Sequence, residues 1–345
     1  REAQTVEALV PSAAERRGDF TALSAVLENP SNPVTGRPYT TPSGQPCVAN
    51  NRIDASCISP AAARLLAFVP ESPTGTVSSL AASPRRGDMW MLRGDWNHTS
   101  AHRIFASYFS DHNTRKGPFA AGGNIPNYIS ESFVQDTRHL VVNDTYTFSP
   151  TLLNQATFTF LDTPSDQLQT NTIDPPELGI NMPQYVPTGA VSVNVGDNFA
   201  LGSGFTTRFS SRNWQFRDTV NWVRGRHSFK FGYEMLRLQF RQVFIGSPGF
   251  TFTGSQTGDP VADFLLGTFD SLNVNFGVRD TDTRTWAHSA FFQDEFRVHP
   301  RVTLTLGVRY EPFLPWVEKN DRINTVVPGR QSTVVPDAPP GVLFP

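Results

Sequence analysis

Few residues in this chain have the types and spacing that enzyme or metal chemistry requires. His98 and His102 are four residues apart, a zinc-ligand spacing on a helix, but they flank a predicted β-turn and lack the Glu of that motif. Asp294 and Glu295 are adjacent acids, which in a strand point to opposite faces and cannot act as an acid–base pair. We therefore predict no catalytic, metal or cofactor site, and no enzyme.

Two groups of charged residues have structural interpretations that compete with functional ones. The turn Arg224-Gly225-Arg226-His227 has the side chains of a phosphate site, but a charged turn between strands is the simpler interpretation. Three Arg-Gly-Asp triplets begin at Arg17, Arg86 and Arg93. They would be integrin ligands in an adhesion protein, and we favour chance occurrence instead.

The two cysteines, Cys47 and Cys57, lie ten residues apart in a stretch rich in Pro, Ser and Asn. Two cysteines with no nearby His fall short of a metal ligand set. We expect a local disulfide formed in an oxidising compartment. A pair of unpaired thiols is the alternative.

The composition indicates an all-β chain with many loops. Charged residues are 17% of the 345 residues, against about 25% in soluble proteins, and the 25 Gly and 28 Pro are too many for a helical protein. The net charge of −2 provides no field that attracts nucleic acid. The chain has no apolar run long enough for a transmembrane helix. It opens at Arg1 and stops in a Pro-rich stretch, so we expect a piece of a longer protein.

Four pairs of alternating, aromatic-rich segments are each joined by a tight turn and separated by long irregular stretches. We predict a loop-rich N-terminal part of the barrel region at 1–87, about eight antiparallel strands at 88–311, and the start of a further loop at 312–345. Short helices are expected at Pro60–Phe68 and Asp259–Leu266. The predicted strands are Asp88–Asn97, His102–Asp111, Phe133–Phe148, Leu152–Asp162, Asn213–Val223, His227–Gln242, Trp286–Val298 and Val302–Glu311.

The length of these strands favours a membrane barrel over a soluble β-sandwich. They run about ten residues or more, where a tilted membrane-spanning strand needs about 9–11 and a soluble strand has about 5–6. Short turns at one end and loops of about 20 to 50 residues at the other are rare in sandwiches. In the strand from His227 the apolar phase slips after Met235, so we expect a β-bulge near Met235-Leu236.

Several short motifs keep a fixed order along residues 10–311. They are VPSAAERRGDF at Val10–Phe20, NPVTG at Asn32–Gly36, RIDASCISPAAARLL at Arg52–Leu66, FSPTLLN at Phe148–Asn154, HSFKFG at His227–Gly232, GDPVADFLLG at Gly258–Gly267, FQDEFRV at Phe292–Val298 and LTLGVRYE at Leu304–Glu311. In order and spacing they resemble the barrel of TonB-dependent outer-membrane receptors of the Oar-like group.

The resemblance implies part of a large antiparallel up-and-down transmembrane β-barrel of about 22 strands with long extracellular loops. It implies the outer membrane of a Gram-negative bacterium, contact with outer-membrane lipid, and energy from the TonB complex through a plug. This chain departs from the family pattern because it has no plug and no TonB-contacting segment. The implied function is binding of a large solute, of unknown identity, and its movement into the periplasm.

Two other functions fit the sequence less well. One is an outer-membrane structural or adhesive surface protein without transport, and the other is a soluble secreted carbohydrate-binding β-protein. For a receptor, solute contacts should come from the long loops and the upper lumen. The aromatic and polar candidates there are Phe119, Asn124, Tyr128, Tyr185, Asn198, Phe199 and Phe205.

Overall fold

The fold was analysed in a computed structural model, which describes residues 2–117, 119, 123–125, 128, 130–170, 175–182, 191–202, 205–274 and 279–344. Eight long strands are β5 (Arg85–Asn97), β6 (His102–Gly117), β7 (Ser130–Ser149), β8 (Leu152–Thr170), β11 (Phe205–Arg224), β12 (His227–Gly246), β15 (Arg279–His299) and β16 (Val302–Tyr310). Within these residues, neither helix is long or apolar enough to cross a membrane.

The remaining elements are short. The strands are β1 (Glu2–Leu9), β2 (Val48–Ala49), β3 (Arg52–Ile53), β4 (Thr76–Ser83), β9 (Ser192–Val195), β10 (Phe199–Leu201), β13 (Gly249–Phe252), β14 (Ser271–Asn273), β17 (Val317–Glu318), β18 (Thr325–Val326) and β19 (Val342–Leu343). The helices are α1 (Pro60–Leu66) and α2 (Pro260–Leu266), each with Pro in its first turn. Single 3-10 turns occur at Glu15–Arg17, Ala55–Cys57 and Pro175–Leu178.

The long strands form one antiparallel meander in the order β16-β15-β12-β11-β8-β7-β6-β5, with β17 pairing beside β15. Consecutive strands are neighbours, so the four predicted hairpins are confirmed together with their tight turns. In the turn between β11 and β12, Gly225 has φ 61°, a left-handed conformation that glycine adopts without steric cost. The long loops all leave the opposite end of the sheet.

The two faces of this sheet differ in chemistry, because register aligns like residues across neighbouring strands. One row, for example, joins Tyr108, Leu140, Phe160 and Trp214 on four successive strands. We call this side the apolar face. Its large side chains are exposed rather than packed: Trp90, Leu92, Trp96, Tyr146, Phe148, Phe158, Phe216, Phe231, Tyr233, Phe292, Leu304, Leu306, Val308 and Tyr310. A continuous exposed apolar surface of this kind requires an apolar surrounding.

The apolar band is shorter than the strands that carry it. In β11 it runs from Trp222 to Trp214, about nine residues, which is the length of a tilted bilayer span. One charged residue interrupts it, Asp218, whose Oδ1 accepts a hydrogen bond from Asn154 Nδ2 of β8 on the same face (2.6 Å). The β11 strand itself has 20 residues and β15 has 21. Beyond Trp214, Arg212 and Arg208 occupy the same face. In the five strands of 19 to 21 residues (β7, β8, β11, β12 and β15), about half of the strand therefore continues past the band toward the long loops.

The predicted bulge near Met235-Leu236 is wrong. Residues on both sides of this point keep an unbroken register with β11 and β15, since Met235 pairs with Phe216 and His288, and Leu236 with Gln215 and Ala287. The strand does not slip. Instead its surroundings change: after Met235 the same face carries Arg237, Gln239 and Arg241. The inversion of the hydrophobic pattern marks the end of the apolar band and not a backbone irregularity.

A second unit lies at the loop end of the sheet. Residues 2–83, predicted to be mostly irregular, contain the antiparallel pair β1–β4 and pack with the described parts of the loops that follow β6, β8 and β12. We call this unit the loop body. Hydrogen bonds tie its parts together, including Ser59 N to Leu265 O (2.8 Å) and Glu28 N to Thr257 O (2.9 Å). Its core is continuous, with Phe20, Leu65, Val193 and Phe264 all buried.

The two faces can be distinguished by adjacent substitutions in β8. Phe158→Arg places a charge in the apolar band, and we expect it to lower the free energy of unfolding in lipid vesicles by about 2–4 kcal/mol. Thr159→Arg adds the same side chain to the opposite face, and its effect should stay below about 1 kcal/mol. Equilibrium denaturant titration of the vesicle-inserted protein measures both. Equal effects of the two substitutions would contradict the assignment of the faces.

Candidate functional site

The His and Asp residues singled out in the sequence form isolated pairs on the apolar face. His102 Nε2 is 2.9 Å from Asp144 Oδ1, and His227 Nδ1 is 2.7 Å from Asp294 Oδ2. The ring of His98 packs edge-on against that of His102 at 5.8 Å. No group of three or more metal-ligand side chains occurs among the residues that the structure describes. Both carboxylates lie near the short turns, where a charge on the lipid-facing side costs least.

The charged motifs are also held in regular structure. Asp19 of the first Arg-Gly-Asp triplet pairs with Arg52 at 3.0 Å. The other two triplets lie within β5, where each Arg pairs with the Asp two residues later, as in Arg93 Nη2 to Asp95 Oδ1 at 2.7 Å. Gly225 and Arg226 form the β11–β12 turn, and Arg224 is the last residue of β11. None of these segments lies at the tip of a long loop, where an adhesion motif would be presented to a partner.

A row of mainly polar residues, with Phe105 as its one aromatic member, crosses the face opposite the apolar band. Register places Asp95, Phe105, Asn143, Thr157, Arg217, Glu234 and Ser289 side by side on seven neighbouring strands. Asn143 Nδ2 donates to Thr157 Oγ1 (2.8 Å), and Arg217 Nε donates to Glu234 Oε2 (2.7 Å). We call this side the polar wall. Hydrogen-bonded and ionised groups of this density suit a water-filled or plugged lumen.

One part of the polar wall has a cavity of about 230 Å³. Its lining includes three cations, Arg217, Lys230 and Arg309, while Glu234 and Glu311 pair with the two arginines. Phe291 also lines it and lies against Gly232, where an added Cβ would come within 2.7 Å of the Phe291 ring. Glycine at this position lets the aromatic ring lie flat on the wall.

The GDPVADFLLG motif builds the centre of the loop body. Asp259 caps α2 by accepting hydrogen bonds from Val261 N and Ala262 N, both at 2.9 Å, and Gly267 ends the helix with φ 75°. Asp263 is fully buried and accepts from Thr257 N (2.8 Å) and Thr257 Oγ1 (2.7 Å). Burial raises the pKa of Asp263 above the ordinary value, against the opposing effect of these hydrogen bonds. The motif therefore has a structural role.

The loop residues expected to contact a solute are mostly structural. Phe119, Tyr128 and Phe199 are buried, at 8%, 1% and 1% exposure, so the expectation that they face a solute is wrong. The Tyr128 hydroxyl donates to Val191 O at 2.7 Å, and burial raises its pKa. Asn124 Oδ1 accepts from Ala200 N at 2.7 Å, and its side chain also donates to Asn198 O. Tyr185 and the side chain of Phe205 lie outside the described residues.

Sequence reasoning did not find the residues that line the loop-body cavity. This cavity, of about 210 Å³, lies between α1 and α2 and is lined mainly by apolar groups, among them Leu65, Ile180, Phe252 and Phe269. The lining comes from three separate stretches of the chain. A local pattern could not reveal their meeting, although the spacing of apolar residues in both helices does indicate buried faces.

Cys47 and Cys57 form a disulfide in the loop body, with Cys47 buried among the core residues. The bond joins the residue immediately before β2 to the 3-10 turn at Ala55–Cys57. It closes a loop with a sequence separation of 10, next to Ile53 and Val48 of the same core. The disulfide thus constrains residues 47–57 of the loop body.

We expect the double substitution Cys47→Ser/Cys57→Ser to destabilise the loop body by about 2–3 kcal/mol, because the closed loop no longer restricts the unfolded chain. Limited proteolysis between residues 20 and 80 should accelerate, while the gel mobility that reports the folded barrel stays unchanged. Wild-type protein after mild reduction is the matched control and should behave in the same way. Alkylation of both thiols in denatured, unreduced wild-type protein would contradict the bond.

Comparison with known proteins agrees with this architecture. The model of the outer membrane beta barrel domain family matches residues 1–345. No curated protein matches the sequence. Similar solved structures include the outer membrane transporter YddB from Escherichia coli, with TM-score 0.43 and 10% identity over 69% of this chain and 29% of that one.

P. aeruginosa FpvA, solved with bound heterologous pyoverdines, has TM-score 0.41 and 12% identity over 68% of this chain and 32% of that one. The chain therefore spans about a third of the length of these two structures. With the match over its whole length, the chain belongs to the outer membrane β-barrel domain family, and its sheet is part of a barrel wall in a Gram-negative outer membrane.

Proposed function

We propose that this chain forms part of a TonB-dependent outer-membrane transporter that binds a large solute outside the cell and passes it into the periplasm. The observation that carries the proposal is the polar wall: six of seven neighbouring strands present hydrogen-bonded or ionised side chains opposite an exposed apolar band, and the seventh contributes Phe105. A lumen lined in this way suits a passage for polar solutes, and the motif series resembles receptors energised by TonB.

The loop body supports the same function from the outer end. It joins residues 2–83 to three long loops in one core, so it occupies the end of the sheet from which a solute would arrive. Its two α helices border an apolar cavity, and the polar wall holds a second cavity lined by three cations. Solute recognition at the loop body followed by passage along the polar wall is the order that this arrangement supports.

The test is uptake of labelled solutes by cells with and without the intact protein. We expect uptake of at least one large solute to fall about tenfold or more when the gene is deleted, and equally when TonB is removed, because transport depends on the energised inner membrane. If deletion changes no uptake but abolishes attachment of cells to surfaces, the protein is a structural or adhesive surface protein and the proposal fails.

A substitution in the polar wall separates transport from assembly. Arg217→Ala removes the ion pair with Glu234 on a water-accessible face, so folding should change by less than about 1 kcal/mol. Solute uptake should change severalfold, because lumen residues tune selectivity. The matched control is Phe216→Leu, which alters only the apolar face. The amount of folded protein in the outer membrane is measured in parallel. Unchanged uptake by Arg217→Ala would argue against passage along this wall.

A further inference from the structure

One cation on the apolar face has no acidic partner. Arg237 lies in β12 directly between Trp214 of β11 and Trp286 of β15. Its guanidinium carbon is 5.5 Å from the Trp214 ring centroid and 5.1 Å from that of Trp286. Within the described part of the chain, Arg237 makes no salt bridge, and its buried Nε has no hydrogen-bond acceptor. The two rings hold the cation without neutralising it.

The neighbouring arginines on this face are already neutralised. In the next row toward the loops, Arg212 Nε is 3.0 Å from Asp162 Oδ1, and Arg284 Nη2 is 2.7 Å from Asp282 Oδ2. One row further, Arg241 pairs with Asp280 at 3.2 Å. We call this set of paired side chains the ionic belt. Arg237 adjoins the belt but takes no part in its pairs, so it leaves one uncompensated positive charge.

The position of Arg237 is that of a membrane interface. Toward the short turns its neighbours on the same face are Met235 and Phe216, which belong to the apolar band, and His288, whose ring stacks on that of Trp286. Toward the loops the neighbours are Arg212 of the ionic belt and Gln239, which donates to Asp282 of that belt at 2.9 Å. The loop side of such barrels is the outer side of the membrane. Tryptophans at both flanks are typical of the level at which lipid headgroups begin.

We propose that Arg237, held between Trp214 and Trp286, binds the phosphate group of a lipid headgroup in the outer leaflet. A guanidinium offers several N–H donors in a plane that matches phosphate oxygens, and the Nε of Arg237 has no acceptor within the described residues. The two tryptophan rings hold the guanidinium of Arg237 at the boundary between the acyl chains and the headgroups. The acyl chains would lie on Met235, Phe216 and the rest of the apolar band.

The headgroup, rather than a soluble anion, is the occupant that the surroundings favour. A site for free phosphate is usually built from several donors around a concave pocket, whereas this one is a single cation on an exposed apolar face. Below it lie the apolar side chains of Met235 and Phe216 and the ring of His288, whose Nδ1 is already hydrogen-bonded with the Tyr233 hydroxyl (2.6 Å). The two nearest arginines above it are occupied by Asp162 and Asp282. Only a ligand that is anionic at one end and apolar at the other satisfies both sides of Arg237.

The test uses the intact protein purified in a maltoside detergent, which carries no phosphate. Phosphatidylglycerol is added, and bound lipid is counted by native mass spectrometry. We expect Arg237→Gln to weaken binding of the tightest lipid about tenfold or more. Arg241→Gln is the matched control, since Arg241 is already paired with Asp280, and should change binding less than about twofold. Heat-modifiable gel mobility confirms that each variant is folded.

Three further binding measurements distinguish a site for lipid phosphate from a purely apolar site and from a site for soluble anions. Trp286→Leu removes one ring while keeping the cation, and should weaken binding by an intermediate factor. Neutral diacylglycerol should bind at least tenfold more weakly than phosphatidylglycerol, and inorganic phosphate at millimolar concentration should not displace the lipid. The proposal is overturned if Arg237→Gln retains wild-type lipid binding, if diacylglycerol binds as tightly, or if inorganic phosphate competes and so reveals a site for soluble anions.

Discussion

The structure depends on one constraint, that a backbone crossing a bilayer must satisfy its hydrogen bonds without water. A closed antiparallel sheet meets this constraint, and its period of two then assigns every second side chain to lipid. The rest follows from that assignment. In β11 Trp214, Phe216, Val220 and Trp222 present apolar side chains to the surroundings, and Asp218 between them accepts from Asn154 Nδ2. The alternate residues Gln215, Arg217 and Thr219 form the polar wall. One backbone pattern thus yields both the membrane anchor and the lining of the lumen.

The same constraint explains why hydrophobicity changes partway along each strand. The bilayer needs only about ten residues of a strand, and the β11 and β12 strands have 20 each. Above the bilayer the alternation no longer has to place apolar groups outward, so Arg237, Gln239 and Arg241 can follow Met235 on one face. There the strands are stabilised by cross-strand ion pairs such as Arg212 with Asp162. The position along a strand at which apolar residues leave the outward face therefore marks the boundary of the membrane.

Much of the sheet could be predicted from sequence, because alternation and turn chemistry are local signals. The strand Val302–Tyr310 and the turn at Gly225 were both located from their own residues. The predicted bulge at Met235 was wrong because two different causes invert the alternation of apolar and polar residues in the same way. One is a slip of the backbone register, and the other is a change in the surroundings of the strand. The burial of Tyr128 and Phe199 was missed because the loop body is assembled from segments far apart in the chain. No local pattern shows that a loop aromatic will meet a distant helix.

The central claim is that β12 keeps one register through the membrane boundary and that its lipid contact ends at Arg237. Spin labels placed singly at each residue from 227 to 246, in protein reconstituted into vesicles, measure this directly through collisions with oxygen and with a polar nickel complex. The account predicts that oxygen accessibility peaks at Phe229, Phe231, Tyr233 and Met235, and that polar accessibility takes over on the same odd-numbered residues from Arg237. If oxygen maxima instead move to Leu236, Leu238 and Phe240, the strand slips and the account is contradicted.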